Sequence, residues 1–351
     1  MNPLESELSY PFADELPTAG SVREVAPGLG WLRMPLPFAL DHINLWLLRD
    51  EREGKQGYTV IDCGVATDAT RAHWEQLFAG AMENEPVLRV LATHCHPDHV
   101  GLSGWLCDRF HDAPFWLTAG EFGFARMMAA ALPGVDGPSA IPHFERHGLT
   151  DPAMLEQMRS RRSYYPSLVP AVPAAYTRIQ DGQRIAIGNA HWRVITGFGH
   201  SPEHAALYSD ELNVLISGDM VLPRISTNVS VFAVEPEGNP LQQYLDSLDK
   251  FADLPADVLV LPSHGKPFRG LHTRIAQLRA HHVARLAEVL EACTTPRSAM
   301  DIVPIMFRRQ LDAHQLSFAL GEALAHLHKL WNDGMLKRVT GDDGIIRFQL
   351  T

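Results

Sequence analysis

The chain has 351 residues, of which 46% are hydrophobic and 20% are charged, and its formal net charge is −11 at pH 7. This length predicts one large domain with an appendage or two domains, and the composition excludes a disordered chain. The acidic N-terminus lacks the apolar core of a signal peptide, and no apolar run of about eighteen residues occurs. We therefore expect a soluble, cytoplasmic protein that has no membrane partner.

The first 120 residues alternate between strand patterns and helix patterns. Short runs that are rich in apolar and β-branched residues predict strands. These runs are INLWLLRD (43–50), GYTVIDCG (57–64), VLRVLATH (87–94) and PFWLTAG (114–120). Apolar residues at helical spacing predict helices at 66–80 and 100–110. Such alternation is typical of an α/β protein.

Residues 121–180 differ in composition, with many prolines and several aromatic residues. The segment also contains a basic cluster formed by Arg159, Arg161 and Arg162. We predict a mostly helical insertion that could wall a substrate pocket with side chains such as Tyr164 and Tyr165. The basic cluster could bind an anionic substrate group. A helical cover, a homodimer contact and a solvated helix face remain the alternatives.

Strand patterns return after residue 180. Two hairpins are predicted at 181–200 and 204–219, followed by an amphipathic helix at 240–254 and a buried strand at 258–265. Residues 268–351 then predict three helices and a closing hairpin, an order typical of a winged-helix module. We therefore expect a main domain over 1–267, with the insertion at 121–180, and a winged-helix-like domain over 268–351.

The charge is unevenly distributed between these two domains. Residues 1–267 contain 19 Lys and Arg against 33 Asp and Glu, a net charge of −14, whereas residues 268–351 carry +3. Nucleic-acid binding needs accumulated positive charge, so the main domain is a poor candidate for it. Winged-helix form alone does not imply DNA binding, and we expect the tail to cover the site or to form a homodimer.

The segment THCHPDHVG (93–101) contains three histidines and an aspartate within six residues. Imidazole and carboxylate groups are suitable ligands for divalent metals. In an extended segment His94 and His96 point the same way and can reach one ion. Pro97 then interrupts the strand, so Asp98 and His99 fall in a turn and can reach a second ion.

Three further ligand-type residues each follow an apolar strand. They are His200 in GFGHSPEH, Asp219 in LISGD and His264 in VLPSHG. Strand ends converge on one edge of an α/β sheet, which is where sites are built. Polar residues that merely cap strands would explain a single histidine. Seven ligand-type residues in this context predict a two-metal site.

HCHPDH (94–99), together with these downstream residues, resembles the motifs of the metallo-β-lactamase superfamily over about residues 23–267. VIDCG (60–64) resembles the first motif of that family, with Asp62 near the metals. The resemblance implies an α/β (α+β) fold, an αββα sandwich, that binds two divalent metal ions. It implies that His94, His96 and His200 hold the first ion, that Asp98, His99 and His264 hold the second, and that Asp219 bridges them.

The complete ligand set distinguishes this sequence from the true β-lactamases of the family. Those enzymes tend to have Cys or Ser in the place of Asp219, or a non-histidine in the place of His99. The set here is closer to hydroxyacylglutathione hydrolases and to the RNA-processing nucleases of the family. The winged-helix-like tail adds a resemblance to the β-lactamase-like protein 2 group, which includes RNA-cleaving enzymes. All seven ligands suit zinc, iron and manganese alike, and we expect zinc.

These observations predict a metal-dependent hydrolase. A metal-bridging hydroxide would attack the substrate, and Asp98 would act as a catalytic residue that orients the nucleophile or passes a proton to the leaving group. We expect a small acyl substrate, a thioester, ester or lactone, because the main domain is acidic and the insertion is apolar. The alternatives are a metal-dependent endoribonuclease and a non-enzymatic, metal-binding regulatory protein.

Several residues outside the ligand set are candidates for supporting roles. His204 lies four residues after His200 and could orient a ligand or hydrogen-bond its own loop. Arg224 and Asn228 follow Asp219 closely and are candidates for the substrate pocket.

Overall fold

The computed structural model describes residues 2–12, 15–38, 40–111, 113–135, 138–160 and 164–351. Arg161 and Arg162 of the predicted basic cluster lie outside the described residues. Arg159 is described, and its guanidinium pairs with Glu145 at 2.9 Å on the surface.

A seven-stranded sheet is built from the first half of the chain, with its strands side by side in chain order. The strands are β1 (Arg23–Ala26), β2 (Leu29–Pro35), β3 (His42–Arg52), β4 (Lys55–Ile61), β5 (Val87–Leu91), β6 (Phe115–Leu117) and β7 (Thr177–Arg178). The pairs from β1 to β4 are antiparallel, and the pairs from β4 to β7 are parallel. Parallel neighbours need crossover connections, and helices provide them here. These are α1 (Asp68–Ala79), α2 (Pro97–Val100) and α3 (Ser103–Arg109).

The segment between β6 and β7 is mostly helical, as the composition of 121–180 predicts. Its helices are α4 (Ala119–Ala129), α5 (Ile141–Arg146), α6 (Pro152–Ser160) and α7 (Tyr165–Leu168). Helix α4 begins two residues before the predicted start of the insertion, directly after β6.

A five-stranded sheet follows, in the order β12-β11-β10-β9-β8. Its strands are β8 (Arg184–Ile187), β9 (Ala190–Gly197), β10 (His204–Ser209), β11 (Val214–Gly218) and β12 (Leu259–Pro262), with α8 (Pro240–Asp249) between β11 and β12. Both predicted hairpins are present, and only β11 and β12 pair in parallel.

The chain ends in three helices and a two-stranded sheet, in the predicted order. These are α9 (Leu271–Ala292), α10 (Ala299–Met306), α11 (Ala313–Asn332), β13 (Leu336–Thr340) and β14 (Ile346–Leu350). Ser298 begins α10 with a capping box, because its side chain accepts a bond from the backbone of Asp301 and the Asp301 carboxylate accepts one in return.

Three apolar clusters show that the layers form the predicted αββα sandwich. The inter-sheet core contains Trp31, Trp46 and Ile61 from the first sheet and Trp192, Leu207 and Ile216 from the second. The outer face of the first sheet packs against α1 and α3 through Trp74, Phe78 and Leu106. The outer face of the second sheet packs against α8, α9 and α11 through Tyr244, Leu278 and Leu320. The C-terminal helices therefore share a continuous core with the second sheet.

A buried ion pair joins the two sheets. Asp50 on β3 and Arg89 on β5 are only 3% and 4% exposed, and Nη2 of Arg89 lies 2.8 Å from Oδ2 of Asp50. The backbone N–H of Gly188, in the hairpin between β8 and β9, donates to Asp50 at 2.9 Å. Arg89 also donates to the carbonyl of Ala186 on β8 at 2.6 Å. The pair thus links β3 and β5 to the neighbouring sheet.

The strands of both sheets end where the ligand-type residues begin. β9 ends at Gly197, β11 at Gly218 and β12 at Pro262, each shortly before one of these residues. β5 ends at Leu91, three residues earlier than the sequence predicts, because the chain bends into a loop at the metal motif. Pro97 occupies the first turn of α2, where its missing N–H costs nothing.

No helix among the described residues combines the length and the apolar character that crossing a bilayer requires.

Candidate metal centre

The structure brings all seven predicted ligand residues together at one edge of the sandwich. They form two groups, within each of which the potential ligand atoms lie within 4.8 Å of one another. The first group is His94, His96, His200 and Asp219, and the second is Asp98, His99 and His264. Five of the seven side chains are buried, and His96 and Asp98 are partly exposed. The site is therefore accessible from one side.

Three ring nitrogens converge in the first group. Nε2 of His94 lies 2.9 Å from Nδ1 of His96 and 3.1 Å from Nε2 of His200. Imidazole nitrogens that face a common point at this separation can share one cation. This is the trio that the family resemblance implies for the first metal.

The carboxylate of Asp219 lies between the two groups. Its Oδ2 is 3.4 Å from Nε2 of His200, in the first group. Its Oδ1 is 3.5 Å from Nε2 of His264 and 3.7 Å from Nε2 of His99, in the second group. One oxygen therefore faces each group, which is the arrangement expected of a bridging carboxylate.

Asp98 completes the second group. Its Oδ2 lies 3.4 Å from Nε2 of His264 and 3.7 Å from Nε2 of His99. These two histidines thus lie between the carboxylates of Asp98 and Asp219. Such a mixed set of nitrogen and oxygen atoms suits zinc, iron or manganese.

Outer hydrogen bonds orient the ligand rings. Nδ1 of His200 donates to the backbone carbonyl of Asn228 at 2.7 Å, and Nδ1 of His264 donates to that of His42 at 2.9 Å. Nδ1 of His99 donates to Oδ2 of Asp62 at 2.8 Å. Because the outer nitrogen of each ring donates to these acceptors, the inner nitrogen faces the centre and is the atom that can bind a cation when it carries no proton.

Two buried atoms provide a test of whether these residues fit a metal. Nε2 of His99 and Oδ1 of Asp219 have no hydrogen-bond partner among the described residues. Buried polar atoms of this kind are normally satisfied, because leaving them unpaired costs free energy. Both atoms face the second group, where a divalent cation would satisfy them. The donor chemistry and these atoms therefore fit a two-metal site.

The pKa directions differ between the two groups. Burial lowers the pKa of His94 well below its usual range, and burial with the nearby His200 lowers that of His96 to about 3. Burial acts the same way on His99, but the carboxylates of Asp62, Asp98 and Asp219 outweigh it and raise the pKa of His99 to about 9. His94 and His96 are thus neutral imidazoles at neutral pH. The second group lies in a negative potential that favours a cation, and metal binding there would release a proton.

Asp62 lies beside the candidate centre, as its place in the predicted first motif suggests. This fully buried carboxylate accepts bonds from the backbone and hydroxyl of Thr93 at 2.7 and 2.9 Å, in addition to the bond from His99. Its backbone has a φ of 62°, in the left-handed region that Asp and Asn tolerate best among non-glycine residues. We infer that this turn aims the carboxylate at the metal loop.

We expect Asp62→Asn to weaken metal binding by about 10- to 100-fold, because an amide replaces the charge that holds His99 while preserving the tolerated backbone angle. The dissociation constant would be measured by competition with a chelator. Glu53→Gln provides the matched control, since Glu53 also has a positive φ, 53°, but lies exposed in a hairpin. Equal affinity of Asp62→Asn and Glu53→Gln would contradict this role.

The remaining predicted residues have different positions. Nε2 of His204 accepts a bond from the backbone N–H of Asp219 at 3.1 Å, so the ring contacts the residue that lies between the two groups. Asn228 contacts His200 through its carbonyl, while its side chain reaches Glu322 on α11 at 3.3 Å. Arg224 pairs with Glu5 at 3.1 Å through a half-exposed side chain, and it is not among the described residues that line the apolar pocket next to this centre.

Sequence reasoning missed Glu121, a fully buried carboxylate on α4. It accepts bonds from the backbone of Cys95 at 2.8 Å, from the hydroxyl of Ser201 at 2.6 Å and from the backbone of Glu203 at 2.6 Å. Glu121 therefore ties the loop of His94 and His96 to the loop of His200. No spacing or motif around a single glutamate distinguishes it in the sequence.

An apolar pocket of about 320 Å³ opens onto the metal centre. His96 and Asp98 line it, and so do Tyr164 and Tyr165, as the sequence predicts for the insertion. Other wall residues come from the loop after β2, from α4 to α6 of the insertion, from residues 230–234 and from α11. Among the described residues that line the pocket, none is Lys or Arg.

Comparison with known proteins agrees with this geometry. The family model described as the metallo-beta-lactamase superfamily matches residues 39–264, and that described as the metallo-beta-lactamase-like C-terminal domain matches residues 286–351. Among relatives known from sequence, a probable metallo-hydrolase, YqjP, from Bacillus subtilis (strain 168) is 24% identical over 317 residues. That match covers 85% of this chain and 91% of the relative.

Two crystal structures extend the similarity over nearly the whole chain. A beta-lactamase domain protein from Burkholderia ambifaria is 60% identical, with all of both chains covered and a TM-score of 0.94. A metallo-beta-lactamase family protein from Thermus thermophilus is 31% identical, with 93% of this chain and 100% of that chain covered and a TM-score of 0.76. The chain therefore belongs to the metallo-beta-lactamase superfamily and is a metal-dependent hydrolase.

Proposed function

We propose that this protein is a dinuclear hydrolase of acyl thioesters or esters. The observation that carries the proposal is the apolar pocket, because His96 and Asp98 of the candidate metal centre line it. An acyl group bound in this pocket would place its carbonyl beside the metal centre. Ligand sites with apolar walls and a few convergent polar groups are typical of small-molecule enzymes.

The seven ligand residues are proposed to hold two divalent ions, with zinc as the first choice and iron or manganese as alternatives. Such ions supply a hydroxide nucleophile at neutral pH and polarise the substrate carbonyl. In the overall reaction, water adds to the acyl carbon, the C–S or C–O bond breaks, and a proton passes to the leaving thiol or alcohol. The products are a carboxylic acid and that thiol or alcohol.

Asp98 is the proposed catalytic residue, because it is the one carboxylate of the ligand set that lines the pocket. Burial raises its pKa, but His99 and His264 more than compensate and lower it to about 2. The side chain therefore stays ionised at neutral pH. In that state it can accept a hydrogen bond from the attacking water and orient it toward the carbonyl.

We further propose that residues 268–351 form a winged-helix-like domain, as in the β-lactamase-like protein 2 group. The three helices followed by β13 and β14 support this assignment. Its role is proposed to be closure of the pocket, because α11 supplies part of the wall. The cytoplasmic location expected from the sequence is part of the same proposal.

The endoribonuclease alternative is less well supported. RNA binding depends on contacts between phosphates and accumulated positive charge. The residues that line the pocket contain no Lys or Arg within the described part of the chain, and residues 1–267 carry a net charge of −14. An uncharged acyl group therefore suits this site better than a polyanion.

Thiol release from a panel of acyl thioesters, including S-lactoylglutathione and acyl-CoAs, tests the proposal. We expect release by metal-loaded protein, none by chelated protein, and a loss of about 100-fold or more in Asp98→Ala. Asp108→Ala is the control, since Asp108 is exposed on the nearby helix α3. Cleavage of RNA by metal-loaded protein that releases no thiol would instead support the alternative.

A further inference from the structure

One face of α11 forms a wall of the apolar pocket. The wall residues are Ala313, Ser317, Phe318 and Gly321. Their spacing along the helix places them on one side of it. These residues are more than 200 positions away in sequence from His96, yet both line the same cavity. The C-terminal helix therefore determines part of the shape of the space beside the metal centre.

Helix α11 contacts the loop 230–234 directly at Gly321. Its carbonyl accepts a bond from the backbone N–H of Val231 at 3.1 Å. A Cβ atom at Gly321 would lie 2.8 Å from the side chain of Ser230, closer than real Cβ contacts. Helix α11 and the loop 230–234 are thus in close contact, and that loop lines the pocket as well.

Aromatic rings surround the opening of the pocket. Phe38, Tyr164, Phe232 and Phe318 are each between 36% and 39% exposed. They come from four separate parts of the chain and all line the pocket. A single exposed aromatic residue is ordinary, but a group of them around one cavity marks a binding site for apolar ligands.

We propose that α11 selects the acyl group of the substrate, with Ser317 and Phe318 as specificity-determining residues. The preferred acyl group is an uncharged, extended hydrocarbon chain that reaches from the metal centre to this helix. This inference rests on the proposed acyl hydrolase function. The pocket disfavours acyl groups that carry a carboxylate, because burial of an unpaired charge among these side chains is costly.

The wild-type protein should therefore prefer longer chains until the pocket is full. Each additional methylene that leaves water for the pocket should raise kcat/KM by about fourfold. We would measure kcat/KM for a series of straight-chain acyl thioesters that starts at acetyl, all with the same thiol. The thiol is kept constant so that only the acyl pocket is varied.

Ser317→Leu fills the pocket from the side of the helix. We expect the ratio of kcat/KM for the longest accepted chains to kcat/KM for acetyl thioester to fall by about tenfold or more, because the added carbons occupy the space of the long chains. Phe318→Ala enlarges the opening and should shift the preference toward longer or bulkier chains. The two variants therefore predict changes in opposite directions.

Gln315→Leu is the matched control. It makes a polar-to-leucine change on the same helix at a residue that does not line the pocket. Its chain-length profile should equal that of the wild type. A uniform loss across all chain lengths in Ser317→Leu, or an equal shift in Gln315→Leu, would overturn the proposal.

Binding of straight-chain 1-alkanols, measured by calorimetry, gives a readout that does not depend on turnover. Affinity should rise with chain length in the wild type and should fall for long chains in Ser317→Leu but not in Gln315→Leu. If the alkanol results hold while no thioester is hydrolysed, the apolar site stands and the proposed hydrolytic function fails. If thioesters are hydrolysed with no chain-length effect of Ser317→Leu, the function stands and the role of α11 fails.

Discussion

Asp219→Asn is expected to lower metal-dependent hydrolysis by more than about 100-fold. One oxygen of Asp219 faces His200, and the other faces His99 and His264, so the carboxylate serves both groups at once. An amide of the same shape has only one oxygen and no charge. We therefore expect loss of at least one of the two proposed ions, measured as metal content per chain alongside the hydrolysis rate.

Asp257→Asn is the matched control for this experiment, since Asp257 has an exposed side chain in the loop before β12. It should retain both metal content and activity. Full metal content and wild-type hydrolysis in Asp219→Asn would show that the carboxylate does not bridge the ions.

Asp50→Ala is expected to reduce the free energy of unfolding by about 3–5 kcal/mol, because it leaves the buried guanidinium of Arg89 without its charged partner. Asp50 also accepts bonds from the hydroxyl of Thr59 at 2.6 Å and from the backbone of Gly188 at 2.9 Å. Those donors would lose their acceptor as well. Urea unfolding measures the change in the free energy of unfolding.

Removing both charges distinguishes an unpaired charge from a simple loss of packing. We expect Asp50→Ala combined with Arg89→Met to be at least about 1 kcal/mol more stable than Asp50→Ala alone, because no charge then remains buried without a partner. If the double variant is as unstable as the sum of the two single variants, the ion pair is not the cause of the destabilisation.

Most of the secondary structure could be predicted because it depends on local patterns. The apolar runs at 43–50 and 57–64 form β3 and β4, and the helical spacing at 66–80 forms α1. The strand ends are less well predicted: β4, β5, β6 and β12 each end three residues before their apolar runs do, and β5 ends at Leu91 in the run 87–94. The pattern of side chains continues through the metal motif, but the backbone turns away to bring His94 and His96 toward the other ligands.

The ligand residues could be proposed from the sequence for a similar reason. Strands of an α/β sheet end on a common edge, so residues such as His200 and His264 meet although they lie far apart in the chain. This argument does not predict the contacts of Glu121 or His42, because each is a single hydrogen-bonding group whose partners come from other loops. Nearness to Asp219 in sequence makes Arg224 a candidate for the substrate pocket, but in the structure its side chain pairs with Glu5 and it is not among the described residues that line the pocket.

The sequence by itself determined the superfamily, the αββα sandwich and the identity of the seven ligand-type residues. The superfamily and the sandwich follow from the resemblance carried by HCHPDH and VIDCG, and the downstream ligand-type residues were identified by their places at the ends of apolar strands. Motifs and apolar runs are properties of neighbouring residues. Only the tertiary structure decided that the carboxylate of Asp219 faces both groups and that α11 lines the pocket beside His96 and Asp98. Such contacts arise from the packing of distant segments, and packing is fixed by the shapes of all the layers together rather than by any local pattern.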